Sequence, residues 1–247
     1  MSENIKKIMK AFMADLDSRE NQSIILKPSA RPFNNQAHQV NEVAEKIAEK
    51  IYKLIKDAKH PNDDIILNHN KIKEAFFNPF KPQLKDAQVF LSHSHADKNK
   101  ALEVKDYLEE YLDAEYVFID SLFWDYKDDV LNELAKYDNT SKIKDAFTLI
   151  LRESLQDMIE KCPYFVFLQS NNSVSNQGLS RTTYSAWIYE ELKIANGLMA
   201  DSALQESRIK AMRVSHNITN LLRRFKSISL DGLCKKISFN FITKDLE

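Results

Sequence analysis

Three short stretches carry more chemistry than packing requires. The first is Ser92-His93-Ser94-His95-Ala96-Asp97-Lys98, where hydroxyls, imidazoles and a carboxylate stand between an apolar run and a helical stripe. The free N–H groups and positive dipole end of a helix start suit a phosphate there. The plainer reading is capping by Ser94 or Asp97. A metal set of His93, His95 and Asp97 is disfavoured, because no further strong ligand is close and no H-E-x-x-H spacing exists. The second stretch, Asp120-Ser121-Leu122-Phe123-Trp124, follows another apolar run. Its aromatic pair either packs on the core, the commoner fate, or lines a pocket for a base or nicotinamide ring. The third is Tyr184-Ser185-Ala186-Trp187-Ile188-Tyr189-Glu190-Glu191-Leu192. On a helix, Trp187 and Glu191 are four apart and share a face. A carboxylate beside an aromatic wall stabilises a developing cation and excludes water from it. A surface glutamate next to a half-buried tryptophan has the same spacing, and spacing alone favours that plainer arrangement.

The elements that position these stretches follow from the apolar pattern. Gln88-Val89-Phe90-Leu91-Ser92, Tyr116-Val117-Phe118-Ile119-Asp120 and Tyr164-Phe165-Val166-Phe167-Leu168 are short runs that read as strands. Between and after them, Ala101, Val104, Leu108, Tyr111 and Leu112 form one helical stripe, residues Ile143 to Ile159 a second, and Tyr184 to Met199 a third. Phe225 to Leu230 is a further candidate strand and Leu230 to Ile237 a short helix. Strands apolar on both faces and separated by helices predict a parallel sheet covered on both sides. The loops at its strand C-terminal ends then form the ligand crevice. Before residue 85 the pattern differs. Ile5, Ile8, Met9, Phe12 and Leu16 recur at helical spacing, residues 21–36 with Pro28 and Pro32 read as a linker, and Val40 to Ile55 form a stronger amphipathic helix. A third helix runs through Ile72, Ala75 and Phe76 to Asn78-Pro79. The expected division is a helical N-terminal region, 1–84, and an α/β domain, 85–247. The first packs as an appendage or serves as an oligomerisation arm, although its heptads are too few for a coiled coil.

Composition narrows the function. The chain has 247 residues, with 35 Lys+Arg against 36 Asp+Glu and a formal net charge of -1. That balance gives no overall attraction to nucleic acid or anionic membrane. The 3 glycines lie too far apart for a G-x-G-x-x-G turn or a P-loop. Two cysteines, Cys162 and Cys234, rule out a four-cysteine zinc site and a disulfide framework. No apolar run approaches the roughly 20 residues that span a bilayer. Met1-Ser2-Glu3-Asn4 does not open a signal peptide. The expected location is cytoplasmic, with no metal and no cofactor.

Val89 to Lys98 resembles the opening box of Toll/interleukin-1 receptor (TIR) domains. Val117-Phe118-Ile119-Asp120 looks like their second strand and Tyr164 to Ser170 like their third. Ser185 to Leu192 is similar to the helix that carries their W-x-x-x-E pattern. The four stretches occur in family order over about residues 86–240. The resemblance implies a flavodoxin-like α/β sandwich and cleavage of NAD, as a substrate, at its nicotinamide–ribose bond. It makes Glu191 the catalytic residue. Phe90, Ser92, His93, Asp120, Trp124, Tyr184 and Trp187 then belong to the substrate-binding cleft. The oxocarbenium-like sugar is stabilised by the carboxylate, and nicotinamide departs neutral from a cationic pyridinium.

The same resemblance implies a bacterial NAD glycohydrolase or cyclase of the Thoeris anti-phage kind. Its product is ADP-ribose, a cyclised isomer or a conjugate, sensed by a downstream effector, and its TIR domain self-associates. Two insertions depart from the family pattern: residues 123–141, with an expected extra helix from Asp128 to Tyr137, and residues 171–183, expected as a mobile lid. The usual fourth strand has only a weak candidate, Ala211 to Val214. One rival is a non-catalytic TIR scaffold that signals by self-association. Another is an enzyme like the nucleoside deoxyribosyltransferases, with glutamate as covalent nucleophile.

Overall fold

The computed structural model describes residues 9–25, 36–57, 69–80, 85, 87–112, 117–136, 141–177, 180–199 and 215–244. The chain divides into two compact units, both discontinuous in sequence. One comprises Met1–Pro32, Asp86–Asp120 and Ile159–Glu247, and the other Phe33–Lys85 and Ser121–Met158. One boundary falls at Lys85 and Asp86, beside the expected one, while residues 1–32 group with the first unit and 121–158 with the second.

The first unit is an α/β fold around a five-stranded parallel sheet. Its strands are β1 (Lys10–Asp15), β2 (Val89–Ser92), β3 (Val117–Ile119), β4 (Tyr164–Gln169) and β8 (Lys226–Ser227), in the order β3-β2-β4-β1-β8. All four residues of β2 and all three of β3 are buried, as their continuous apolar runs require.

The first strand corrects the sequence reading. The helical spacing of Met9, Phe12 and Leu16 hides a run of four consecutive small or apolar residues, Ala11 to Ala14, all buried. Such a run satisfies both faces of a central strand, whereas a surface helix of that length would expose part of it. β1 pairs with β4 over its whole length, from Lys10 opposite Tyr164 to Asp15 opposite Gln169. The place beside the third apolar run is thus taken by the start of the chain. Ile5 and Ile8 from the same stripe, and Ala211 to Val214, lie outside the described residues.

A 3-10 turn (His95–Asp97) and helix α4 (Lys98–Leu112) carry the chain from β2 to β3, with Ala101, Val104 and Leu108 buried. α4 also buries a Lys105–Glu109 ion pair, and Glu109 Oε1 accepts the first backbone N–H of β3, from Val117, at 3.1 Å. Helices α1 (Arg19–Ile25) and α9 (Leu230–Lys244) are tied to β1 through Asn21. Its side-chain amide donates to Asp15 O at 2.8 Å, and its carbonyl accepts from Leu230 N at 2.9 Å. The expected strand at Phe225 to Leu230 shrinks to Lys226–Ser227, and Phe225 packs edge-on against Phe165 instead.

The segment expected as a lid contains two strands among its described residues. β5 (Ser175–Gln177), β6 (Ser180–Thr183) and β7 (His216–Asn217) form a small antiparallel sheet. β-branched Thr182 and Thr183 suit the pleat and are both buried. Helix α7 (Ala186–Leu198) follows, its first turn capped by Ser185 Oγ, which accepts from Ile188 N at 3.2 Å. The short helix α8 (Thr219–Leu222) lies between β7 and β8.

The second unit is helical: α2 (Gln36–Asp57), α3 (His69–Phe77) with a 3-10 turn Asn78–Phe80, α5 (Asp120–Leu134) and α6 (Ser141–Lys161). α2 buries Ala44, Ile47, Ala48, Ile51 and Ile55, the stripe legible in the sequence. The extra helix begins directly at the end of β3 rather than at Asp128. Tyr126 joins Phe76 and Phe80, at centroid distances of 5.1 and 5.0 Å, and Phe76 also packs edge-on against Phe147. The long N-terminal helices thus belong to one core with the segment between β3 and β4 and do not form an appendage of their own.

Candidate functional site

From β2 the chain goes to β3 on one side of the sheet, while β4 lies on the other. The carboxyl ends of β2 and β4 therefore flank a topological switch point, where open α/β sheets bind ligands. One rung of the sheet crosses this place. Ser92 lies opposite Phe167, Phe167 opposite Met13, and Met13 opposite Ser227. Side chains opposite one another in a parallel ladder share a face. The stacked rings of Phe90 and Phe165, 5.7 Å apart and 8° from parallel, mark that face.

α7 lies over it. Ser92 Oγ donates to Glu191 Oε2 at 2.5 Å, joining residues 99 positions apart, and both side chains are fully buried. A buried carboxylate is costly unless it is hydrogen-bonded, and hydroxyl–carboxylate bonds are the short, strong kind. Trp187, one turn before Glu191, is half-buried, as is Glu190.

The loops around this pair are braced by polar contacts. Asp97, buried at the end of the first loop, accepts from Ser170 Oγ and from Asn172 Nδ2 (2.9 Å). Ser170 N donates to Ser173 Oγ at 2.8 Å, which closes the loop after β4. Asp17, just beyond β1, accepts from Asn171 N at 2.9 Å and pairs with Lys100 at 3.5 Å. The loops after β1, β2 and β4 are held to one another before any ligand arrives. Ser94 makes no side-chain cap, although its carbonyl accepts from Asp97 N at 2.8 Å.

The structure brings Ser92 and Glu191 into contact and places Trp187 one turn away. His93 is buried beside Ser92 in sequence. Phe90 lies between Phe118 and Phe165, fully buried, so its place is in the packing of the sheet rather than at an open cleft wall. Tyr184 is 63% exposed and stands just before the cap of α7. Asp120 and Trp124 are in α5, but their side chains lie outside the described residues. Sequence reasoning did not single out Asp97 as a loop brace, nor Gln169 and Arg181. A lone polar residue at a strand end or in a hairpin carries no periodic signal. Among the described residues no group of three His, Cys, Asp or Glu is placed to hold a metal ion. Among them no helix is long and apolar enough to cross a membrane.

Comparisons with protein-family models, curated proteins and solved structures return no match. The fold and the site define a class: an α/β protein with a buried, hydroxyl-bound carboxylate at the switch point of a parallel sheet.

Proposed function

We propose that this site cleaves the nicotinamide–ribose bond of NAD, as an enzyme of the TIR kind. The observation that carries the reading is the Ser92–Glu191 bond at the switch point, which unites the strand-end and helix motifs whose order resembles the family. The C1′–N bond breaks and its electron pair leaves with neutral nicotinamide. The Glu191 carboxylate stabilises the cationic sugar, with Ser92 holding one of its oxygens. A water molecule, or a hydroxyl or ring nitrogen of an acceptor, attacks C1′, and any proton it carries passes to solvent. The products are nicotinamide and ADP-ribose, a cyclic isomer or a conjugate. Release of such a messenger to a downstream effector in anti-phage defence fits this chemistry, as does self-association that completes the cleft. Incubation of the purified chain with NAD, with products resolved by mass, tests the reading. Intact NAD after incubation at high protein concentration, with the fold preserved, counts against it.

A second reading has its own support. Glu191 is 0% exposed in this structure, which suits a structural carboxylate in a non-catalytic scaffold. Catalysis requires the cover over Glu191 to open. Limited motion of α7 detected by hydrogen exchange on adding NAD favours the enzyme, and uniform protection with no turnover favours the scaffold.

A further inference from the structure

Arg181 has no part in the cleavage step, yet its side chain reaches the same face of the parallel sheet. Its backbone is pinned on both sides. Arg181 N donates to Thr219 Oγ1 at 2.7 Å, and Arg181 O accepts from Ile218 N at 2.9 Å. From this fixed base on β6 the side chain reaches the sheet, where Nη1 lies 3.7 Å from Met13 Sδ. A thioether is a weak acceptor and satisfies little of a five-donor cation. Arg181 is half-buried, and among the described residues no carboxylate lies within ion-pair distance of it. Asp15, two residues beyond Met13 on the same face, accepts from Asp17 N at 2.9 Å instead. Among the described residues a half-buried guanidinium beside a sulfur keeps most of its donors for water or a ligand. An anion with paired oxygens, such as a phosphate, fits the guanidinium fork through two parallel N–H bonds.

Position makes the match specific. Met13, under Arg181, and Ser92, under Glu191, occupy the same rung with Phe167 between them. Two strand spacings separate them, about 10 Å. Gln169, two residues beyond Phe167 and so on that face, holds a buried Oε1 that accepts no hydrogen bond from the described residues. A carboxylate for a sugar cation, an amide oxygen without a partner among the described residues and a guanidinium thus follow one another across one face of the sheet.

We propose that Arg181 is the anion-recognising residue of this site, so that the substrate is a phosphorylated nucleoside or dinucleotide and not a free nucleoside. The anion site rests on Arg181 itself. Its pairing with a sugar at Glu191 rests on the function proposed above. Gln169 Oε1 accepts a sugar hydroxyl between them.

The test uses the full chain and two probes. Calorimetric titration with sodium pyrophosphate should show binding by the wild type and by Glu191→Gln. Arg181→Gln should weaken it by about tenfold to a hundredfold, the usual loss for a charged hydrogen-bonding partner. Arg181→Lys should recover part of it. Pyrophosphate binding that is absent in the wild type, or unchanged in a folded Arg181→Gln protein, overturns the proposal. Turnover supplies a second arm. Arg181→Gln should raise KM for NAD far more than it lowers kcat, and Arg181→Lys should recover part of the KM. A loss confined to kcat, with KM unchanged, overturns the assignment. If neither the wild type nor any variant cleaves NAD, the cleavage reading fails, and the pyrophosphate titration still decides the anion site.

Discussion

Ser92→Ala removes one hydroxyl and tests whether the strand-end motif and the helix motif act as a unit. Ser92 Oγ lies 2.5 Å from Glu191 Oε2, and neither side chain is exposed to water. Solvent therefore does not replace the lost donor. Hydrogen bonds to charged groups contribute about 1.5–3 kcal/mol. For a chain of this size each kcal/mol moves the melting temperature by about 2–4 °C. The expected fall is then about 3–12 °C by scanning calorimetry. If the bond also aims the carboxylate, the rate of NAD cleavage by the folded fraction drops by about tenfold to a hundredfold. A cycle with Glu191→Gln separates the pair from its parts. Contacting partners should couple by about 0.5–3 kcal/mol, and independent ones should not. Unchanged melting temperature together with unchanged turnover in Ser92→Ala would refute the reasoning. A stability loss alone, with normal turnover per folded molecule, would assign the bond to the fold only.

Other outcomes follow from the two cores. The Tyr126 hydroxyl is buried with no hydrogen-bond partner among the described residues, and burial raises its pKa far above the ordinary value of 10.0. Tyr126→Phe should leave the melting temperature equal or raise it, by up to about 1 kcal/mol in stability, and a clear loss in thermal denaturation would reveal a partner for that hydroxyl. Burial pushes the Cys234 thiol from 9.0 up to about 12, so it should resist iodoacetamide at pH 8 until the chain is unfolded in urea. Its protonated form is favoured in the native state. The associated stability is therefore intact below about pH 9 and lost as pH rises towards 12. Cys234→Ala should flatten that alkaline decline in melting temperature, and an identical slope would show that other groups govern it. Specific activity should rise with protein concentration if self-association completes the cleft, and constancy over a hundredfold dilution of a sedimenting monomer would contradict that.

Residues Val89 to Ser92, Val117 to Ile119 and Tyr164 to Leu168 were legible as strands because a run apolar on both faces has one use, the middle of a covered parallel sheet. α2 and α6 were legible because their stripes are long. Lys10–Asp15 was not, since Met9, Phe12 and Leu16 satisfy a helical period by accident over a segment too short to decide. Its true partner, β4, lies more than 140 positions away, and local pattern carries no such information. The hairpin before α7 was hidden by its small polar residues, which carry no alternating apolar signal. The Trp187 and Glu191 spacing was legible at one turn. What spacing does not carry is depth: the bond to Ser92 and the complete burial of Glu191 depend on how α7 is laid over β2. Arg181 was invisible for a related reason, because its described contacts, the Met13 sulfur and the Thr219 hydroxyl, come from distant parts of the chain.

The most direct measurement of the central claim is nicotinamide release from NAD by the wild type, Glu191→Gln and Glu190→Gln, prepared alike and matched in circular dichroism. Glu190 is the built-in control. It sits about 100° around the helix from Glu191 and is half-exposed where Glu191 is fully buried. The account predicts release by the wild type, a loss of about 10²-fold or more in Glu191→Gln, and near wild-type release by Glu190→Gln. Equal activity in the wild type and a folded Glu191→Gln, or no release by the wild type at any protein concentration, would contradict it.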